Sequence, residues 1–330
     1  MDYRTYGGIE MLCGLFAQEL SKHHTVAIAS PPGTTLPPSV IKIDIPANWD
    51  SVKGEYNAIA YFQQHLKAVG IVLDFTHNHA AVRSFPDIPH ISMIWHDPMI
   101  MKTATPDKNV AALSQWQASR FLESTGRPAK VLDAICADPD VFAYEEDSPI
   151  SDRFVAIGIV DFRKGHLIAA EMCLEMGAPL DIVGPGHDKT YEMAIKTLLN
   201  EHPRNGVVYH SEVDHQTKLR LLKQSKGLLY PVNFPEGYGE SHSMKMVEAL
   251  MLGVPCVTWD QGAMMEVFED HALVAPSIPS MTDVMVAWDT VVINKSRRLI
   301  SATAHERWAS DVVVEKWMPT IESVAGGETW

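Results

Sequence analysis

Two glutamates eight positions apart are the side chains of this chain with the clearest potential for chemistry. Glu240 lies just before a segment that is predicted to be a helix at 241–252, and Glu248 lies inside it. Apolar runs of strand length at 228–232 and 256–259 flank this helix. Because eight positions make about two helical turns, we expect both carboxylates near one face. Their loop follows the carboxyl end of a strand, where open parallel sheets bind ligands.

The second candidate group is basic. Arg163 and Lys164 follow a predicted strand and come just before a predicted helix at 166–176. Two cations beside the positive end of a helix are unfavourable unless an anion binds there. Gly7 and Gly8 open the first predicted helix, where a glycine pair lets a phosphate or a sugar approach the backbone. Both groups predict a site for a small phosphorylated ligand.

Composition and charge limit the classes of partner. The chain has 330 residues, enough for two domains of ordinary size, and a hydrophobic content of 46%, typical of a globular core. Its net charge is −14, and it has no large cluster of lysines and arginines. Such a chain is repelled by nucleic acids and anionic lipids, so neither is predicted as a partner.

Apolar runs and cysteines indicate the compartment. The sequence has no apolar run long enough to span a membrane, and its first residues do not resemble a signal peptide. Four cysteines are scattered without paired spacing, namely Cys13, Cys136, Cys173 and Cys256. Reduced thiols in a cytoplasmic protein are therefore predicted.

Glu240, Glu248 and the Ala-Leu-Met-Leu-Gly-Val-Pro run that follows resemble the E-x7-E signature of retaining glycosyltransferases of family 4. The preceding strand, the Pro-Glu-Gly loop and the Gly-x-Pro exit make this match more specific than the spacing alone. The resemblance implies that Glu240 lies by the hydroxyls of the donor sugar. It also implies that Glu248 hydrogen-bonds the ribose of the nucleotide.

Two further segments resemble phosphate-binding elements of the same family. Gly7 and Gly8 belong to a Gly-Gly-x-Glu stretch, which in the family faces the donor phosphate or the acceptor. Lys164 and the glycine after it match a Gly-Arg-x4-Lys-Gly element, whose arginine and lysine hold the donor diphosphate. Ile159 occupies the arginine position of that element, so Arg163 is predicted to replace part of the missing charge.

Histidines follow two strands that are predicted to be neighbours. The buried runs at 71–76 and 90–95 end in His77, His79 and His96. His77 and His79 have a spacing that suits a metal, but no third ligand is evident, so no metal site is predicted. The resemblance implies that His96 lies near the donor sugar and the reaction centre.

Two loops of the second half complete the predicted nucleotide site. Gly184 follows a predicted strand at 180–183, and Val213 precedes a predicted helix at 215–224. The resemblance implies that Gly184 and Val213 border the nucleotide.

The resemblance implies a GT-B fold, in which two Rossmann-like α/β domains face each other across a cleft. The predicted boundaries are 1–145 for the acceptor-side domain, 146–305 for the donor domain and 306–330 for a helix that crosses back to the first domain. Only six residues precede Gly7, so the first strand of the first domain is predicted to be absent. One long helix is predicted from residue 295 onward, with Trp308 and Trp317 on its apolar stripe.

By this resemblance the protein is a metal-independent, retaining hexosyltransferase. It would move a sugar from a UDP- or GDP-sugar to an acceptor that the sequence does not identify. Two alternatives stay open, a nucleotide-sugar epimerase of the same fold and a non-catalytic protein that binds sugar nucleotides. Epimerised sugar nucleotide formed without an acceptor would indicate the first, and donor binding without turnover the second.

Overall fold

A computed structural model describes residues 8–46, 52–100, 104–204, 206–288 and 296–330. The chain divides into two compact units, one formed by Met1–Asp138 with Ala309–Trp330 and the other by Pro139–Trp308. All strand pairs in the described residues are parallel. The predicted α/β fold with parallel sheets is therefore confirmed.

Across the two units, most of the described strands are followed by a helix. The first unit contains α1 (Gly8–Leu20), β1 (Ala27–Ser30), β2 (Ile41–Asp44), α2 (Val52–Leu66), β3 (Val72–Asp74), α3 (Ala80–Ser84), β4 (His90–Met93), β5 (Val110–Ala112), α4 (Gln115–Thr125) and β6 (Lys130–Val131). The second contains β7 (Phe154–Ile157), α5 (His166–Met176), β8 (Leu180–Val183), α6 (Lys189–Glu201), β9 (Val207–Tyr209), α7 (His215–Gln224), β10 (Gly227–Tyr230), α8 (Met244–Met251), β11 (Cys256–Trp259), α9 (Met264–Phe268), β12 (Leu273–Ala275), α10 (Ile278–Val286) and α11 (Arg297–Trp308). The last helix, α12 (Ser310–Ala325), returns to the first unit.

The first unit holds two separate sheets. One contains β1 and β2, and the other has the order β3-β4-β5-β6. In a doubly wound sheet the first strand of the chain lies between the second and the fourth, which correspond here to β1 and β3. The described residues contain no strand before α1, and residues 1–7 lie outside them. The described part of this unit therefore lacks the strand that would join its sheets.

The second unit holds a sheet with the order β12-β11-β10-β7-β8-β9. Strands β7, β8 and β10 are buried along their whole length, as parallel strands covered on both faces require. The chain starts at β7 and fills one side of the sheet with β8 and β9, then the other side with β10, β11 and β12. The connections therefore reverse direction between β7 and β10, and ligands bind beyond the carboxyl ends of strands at such a point.

Helix α8 begins later than predicted. Its N-cap is Ser243, whose hydroxyl accepts a hydrogen bond from the backbone N–H of Met246. Glu240 therefore lies in the turn before the helix, and only Glu248 lies within it. Helix α8 therefore spans only part of the interval between the two carboxylates, because the capping serine fixes the helix start beyond Glu240.

The chain after residue 295 forms two helices instead of the predicted single one. Ala309 separates α11 from α12 with an extended backbone, φ −60° and ψ 140°. Trp308 is buried at the end of α11 in the second unit, whereas Trp317 is buried in α12 of the first. The two tryptophans therefore belong to different hydrophobic cores, not to one stripe.

Trp317 is predicted to be a major contributor to the stability of the first unit. Its ring centroid lies 5.1 Å from that of Phe16 and 6.1 Å from that of Phe75, and its indole N–H donates to the carbonyl of Asp133 over 2.8 Å. Trp317→Ala should lower the free energy of unfolding by about 3–5 kcal/mol. Trp317→Phe should cost less, because it keeps one aromatic ring in the core and loses the hydrogen bond and part of the ring volume. Chemical denaturation measures both, and a Trp317→Ala protein as stable as the exposed control Lys316→Ala would contradict the assignment.

Candidate functional site

Lys164 lies in the loop after β7, next to β10, where the connections of the sheet reverse direction. Asp161 starts a short 3-10 turn at Phe162–Lys164, and its carboxylate accepts the backbone N–H of Arg163 at 2.9 Å. Gly165 ends this turn at φ 69°, and a Cβ there would lie 1.7 Å from the carbonyl oxygen of Pro231. A glycine is therefore required for the loop to approach the end of β10 this closely.

The loop after β10 fixes Glu240 by its backbone. The N–H of Ala263 donates to the carbonyl of Glu240 over 2.8 Å, and Glu240 forms a parallel bridge with Gly262. Earlier in the loop, the side-chain amide of Gln261 pairs with both backbone groups of Phe234, at 2.9 and 2.8 Å. The turn after β11 thus anchors the Glu240 loop, which limits the positions that the carboxylate can take.

Lys164, Tyr230 and Glu240 form a hydrogen-bonded cluster between these two loops. The ammonium of Lys164 donates to the carboxylate of Glu240 and, over 3.0 Å, to the hydroxyl of Tyr230. That hydroxyl in turn donates to Glu240 over 2.9 Å. Burial opposes the charge on Lys164, but Glu240 and Tyr230 overcome it and raise the lysine pKa above its ordinary value. The cluster therefore presents a permanently charged lysine beside an acceptor carboxylate.

The other residues of the Gly-Arg-x4-Lys-Gly element add little free charge. The guanidinium of Arg163 makes two hydrogen bonds to the carboxylate of Asp161, both of 2.8 Å. This pairing raises the pKa of Arg163 and lowers that of Asp161. Ile159, at the arginine position, is 53% exposed. The predicted replacement cation is thus already neutralised by its neighbour two residues earlier.

Glu248 lies fully buried between two lysines. The ammonium groups of Lys218 and Lys245 each lie 3.3 Å from its carboxylate. Burial opposes the negative charge, but the two lysines overcome it and lower the pKa of Glu248. Neither lysine was singled out from the sequence, because Lys218 is thirty positions away on α7. Lys245 lies in the first turn of α8, where its charge opposes the helix dipole, and this unfavourable placement is a sequence signal for a nearby anion.

The remaining predicted contacts of the nucleotide differ in exposure. Gly184 is buried, and a Cβ there would lie 1.8 Å from the carbonyl oxygen of Gly158, so the loops after β7 and β8 touch. Val213 is half-buried in the loop before α7. Gly8 is exposed at the start of α1, and Gly7 lies outside the described residues. Gly184 is therefore a packing residue of the site, whereas Val213 is open to a ligand.

His96 lies in the first unit, just after β4. Its ring stacks on that of His77, with centroids 5.2 Å apart and planes inclined by 16°. Both rings line a cavity of about 140 Å³, together with His79, Met93, Ile94, Trp95, Pro98, Phe121, Ser124 and Thr125. The predicted grouping of histidines at one edge of the sheet is thus present. No aspartate, glutamate, lysine or arginine lines this cavity.

His166 is a buried side chain of the site that the sequence did not reveal. It starts α5 directly after the Lys164 turn and is 1% exposed. Neither ring nitrogen has a hydrogen-bond partner in the described part of the chain. Burial, and then the charge of Lys164, lower its pKa to about 4. An uncharged imidazole therefore lies beneath the turn at Gly158, 3.9 Å from the position of a Cβ there.

The described ranges contain neither a metal-ligand cluster nor a helix that could span a membrane. There, no three His, Cys, Asp or Glu side chains are grouped so that they could hold a metal ion. Nor is any helix in these ranges both long and apolar enough to cross a bilayer.

Comparison with known proteins relates this site to glycosyltransferases. Residues 153–287 match the model of a family described as "Glycosyl transferases group 1", which places the match within the second unit. The match includes Lys164, Glu240 and Glu248. No curated protein matches the chain.

Solved structures resemble the chain over almost its full length. AviGT4, a glycosyltransferase involved in avilamycin A biosynthesis, has a TM-score of 0.74 and 18% identity over 99% of this chain and 93% of its own. Sucrose-phosphate synthase from Thermosynechococcus elongatus has a TM-score of 0.77 and 12% identity over 98% and 94%. HepE of Anabaena, in complex with UDP-glucose, has a TM-score of 0.71 and 13% identity over 97% of both chains. The chain therefore has the GT-B fold of these proteins.

The buried imidazole of His166 predicts a pH dependence of stability. Between about pH 7 and pH 5 a histidine of the unfolded chain takes up a proton, whereas folded His166, with its pKa of about 4, does not. The unfolded state binds more protons, so stability falls as the pH falls through this window. We expect His166→Leu to remove about 2 kcal/mol of this loss. Urea denaturation at pH 7 and pH 5 measures this loss of stability. Exposed His65→Leu is the control. A His166→Leu protein with the pH dependence of wild type would contradict the prediction.

Proposed function

We propose that this protein is a retaining glycosyltransferase that uses a UDP- or GDP-sugar as its donor. The observation that carries the proposal is the Lys164–Tyr230–Glu240 cluster, where the connections of a GT-B sheet reverse. A nucleotide sugar needs a cation for its diphosphate and an acceptor for its sugar hydroxyls, and this cluster offers both. The family match over 153–287 supports the same reaction class, and retention follows the E-x7-E resemblance.

Lys164 acts on the leaving group in this scheme. As the glycosidic bond breaks, negative charge grows on the diphosphate, and a buried ammonium stabilises that charge more strongly than one in water. The donor competes with Glu240 for this ammonium, and the freed carboxylate accepts hydrogen bonds from the sugar. The cation that opposes this growing charge belongs to the protein itself, so the proposed reaction is metal-independent.

The nucleoside occupies the side of the site next to Glu248. We assign the ribose to Glu248 and the base to the half-buried loop at Val213, with buried Gly184 shaping the wall. UDP-glucose in the HepE complex supports a sugar nucleotide as the donor class. Gly7 and Gly8 are proposed to approach the donor phosphate or the acceptor, and Arg163 to reach the diphosphate only if it leaves Asp161.

His96 is proposed to contact the donor sugar at the reaction centre. Its side chain is exposed and stacked on His77, and both rings line the cavity of the first unit.

All four cysteines are free thiols, which supports the proposed cytoplasmic location.

Lys164 and Glu240 should respond differently to substitution. Lys164→Met should weaken UDP or GDP binding about tenfold or more, because it removes a charge-assisted hydrogen bond worth roughly 1.5–3 kcal/mol. Glu240→Gln should leave binding of the free diphosphate equal or tighter, because it releases the lysine, yet should lower turnover with the sugar nucleotide. Calorimetric titration and donor-consumption assays measure the two effects. A folded Lys164→Met protein with wild-type diphosphate affinity would refute the proposal.

His96→Ala should lower turnover without a comparable loss of stability. The side chain is exposed, so its removal should shift the melting temperature little, whereas loss of a group at the reaction centre costs roughly 100-fold or more in rate. His65→Ala, exposed on α2, is the matched control for a lost surface histidine. Turnover within about twofold of wild type would show that His96 has no part in the reaction.

A further inference from the structure

The cluster around Lys164 is short of positive charge for a diphosphate. The arginine position of its loop is taken by Ile159, and Arg163 is paired on both sides of its guanidinium with Asp161. Lys164 itself is matched by Glu240. These residues sum to no net charge, in a chain whose overall charge is −14. An anionic donor would therefore need a further cation close by.

Lys218 and Lys245 supply such an excess. Two ammonium groups share the single carboxylate of Glu248, which leaves one positive charge unmatched within this trio. Their side chains are 19% and 30% exposed, so both remain open to a ligand, whereas the carboxylate is 1% exposed. Burial and the neighbouring charge of Lys245 lower the pKa of Lys218 despite Glu248. Keeping both lysines charged has a cost that a bound anion would relieve.

One member of the trio, Lys245, lies at the end of α8 that follows the Glu240 loop. The hydroxyl of Tyr230, which binds Lys164, also binds Glu240. Glu240 lies three residues before Ser243, the N-cap of α8. Lys245 lies in the first turn of that helix, where its charge opposes the helix dipole unless an anion is present. A hydroxyl in the turn between Glu240 and this cap, that of Ser241, is buried at 2% exposure and has no hydrogen-bond partner in the described ranges. The unsatisfied hydroxyl, the helix cap and Lys245 thus lie within one short stretch of the chain, residues 241–245.

We propose that Lys218 and Lys245 bind the phosphate of the donor next to the nucleoside, while Lys164 binds the phosphate next to the sugar. They supply the charge that Ile159 cannot. The two phosphates are assigned in this order because Glu248 lies on the proposed ribose side of the site and Glu240 lies on the proposed sugar side. This assignment rests on the proposed function, and it makes Glu248 the residue that holds both lysines in place.

Three probes separate the two phosphate positions. UMP carries only the phosphate next to the nucleoside, UDP carries both, and uridine carries neither; the guanine series serves if GDP is the tighter ligand. Lys245→Met and Lys218→Met should weaken UMP and UDP binding about tenfold or more and leave uridine binding unchanged. Lys164→Met should weaken UDP binding and spare UMP. Titration calorimetry at fixed salt measures each affinity, and Lys196→Met, a surface lysine on α6, controls for the change in net charge.

Removal of both lysines would leave Glu248 buried without a counter-ion, so the double variant can fail to fold. Lys245→Met combined with Glu248→Gln avoids that charge and should still bind UMP more weakly than Glu248→Gln alone. Wild-type UMP affinity in folded Lys218→Met and Lys245→Met proteins would overturn the assignment.

Inorganic pyrophosphate distinguishes a failure of this assignment from a failure of the proposed function. If wild type binds no nucleotide, the proposed function falls. Pyrophosphate binding that Lys218→Met and Lys245→Met weaken would then still support the two lysines as an anion site. Equal pyrophosphate affinity in wild type and both variants, or none in wild type, would overturn it.

Discussion

The ion pair between Lys164 and Glu240 is the interaction on which the site depends. Burying an ammonium or a carboxylate alone is costly, and the cost is offset only when the partner and additional hydrogen bonds are well placed. Tyr230 completes the pair by donating to the carboxylate and accepting from the ammonium. An ion pair of this kind contributes little to the free energy of folding, but it requires precise geometry. Its presence between two loops indicates a requirement for binding more than one for folding.

Backbone contacts fix the positions of the loops that carry Lys164 and Glu240. The Lys164 turn reaches β10 because Gly165 has no Cβ to strike Pro231, and the Glu240 loop is tied to Ala263 after β11. Since β7, β10 and β11 are neighbours in one parallel sheet, the loops at their carboxyl ends are fixed to a common frame. The sheet thus converts three distant stretches of sequence into one site with little freedom.

Local patterns were sufficient to predict much of the fold and part of the site. The bounds of α5, β8 and α7 agree with the predicted ones, since glycines and capping residues mark their ends. Lys164 and Glu240 were identified by motif, but their pairing with Tyr230 was not. A contact between residues 66 positions apart, such as Lys164 and Tyr230, has no signal in sequence periodicity. The predicted start of α8 at Ser241 is too early, because the serine that caps the helix is Ser243.

The same lack of long-range signal explains why the two lysines around Glu248 are not predicted from the sequence. A motif marks the position where a charge is expected. Ile159 therefore indicates a missing arginine, and Arg163 is predicted to replace its charge. In the structure Asp161 neutralises Arg163 locally, whereas Lys218 and Lys245 come from two helices to surround one buried carboxylate. An anion responds to the summed field of all nearby groups, whatever their order in the chain. Counting the charges around the N-terminus of α8, three lysines against Glu240 and Glu248, leaves an excess of one positive charge that no single motif contains.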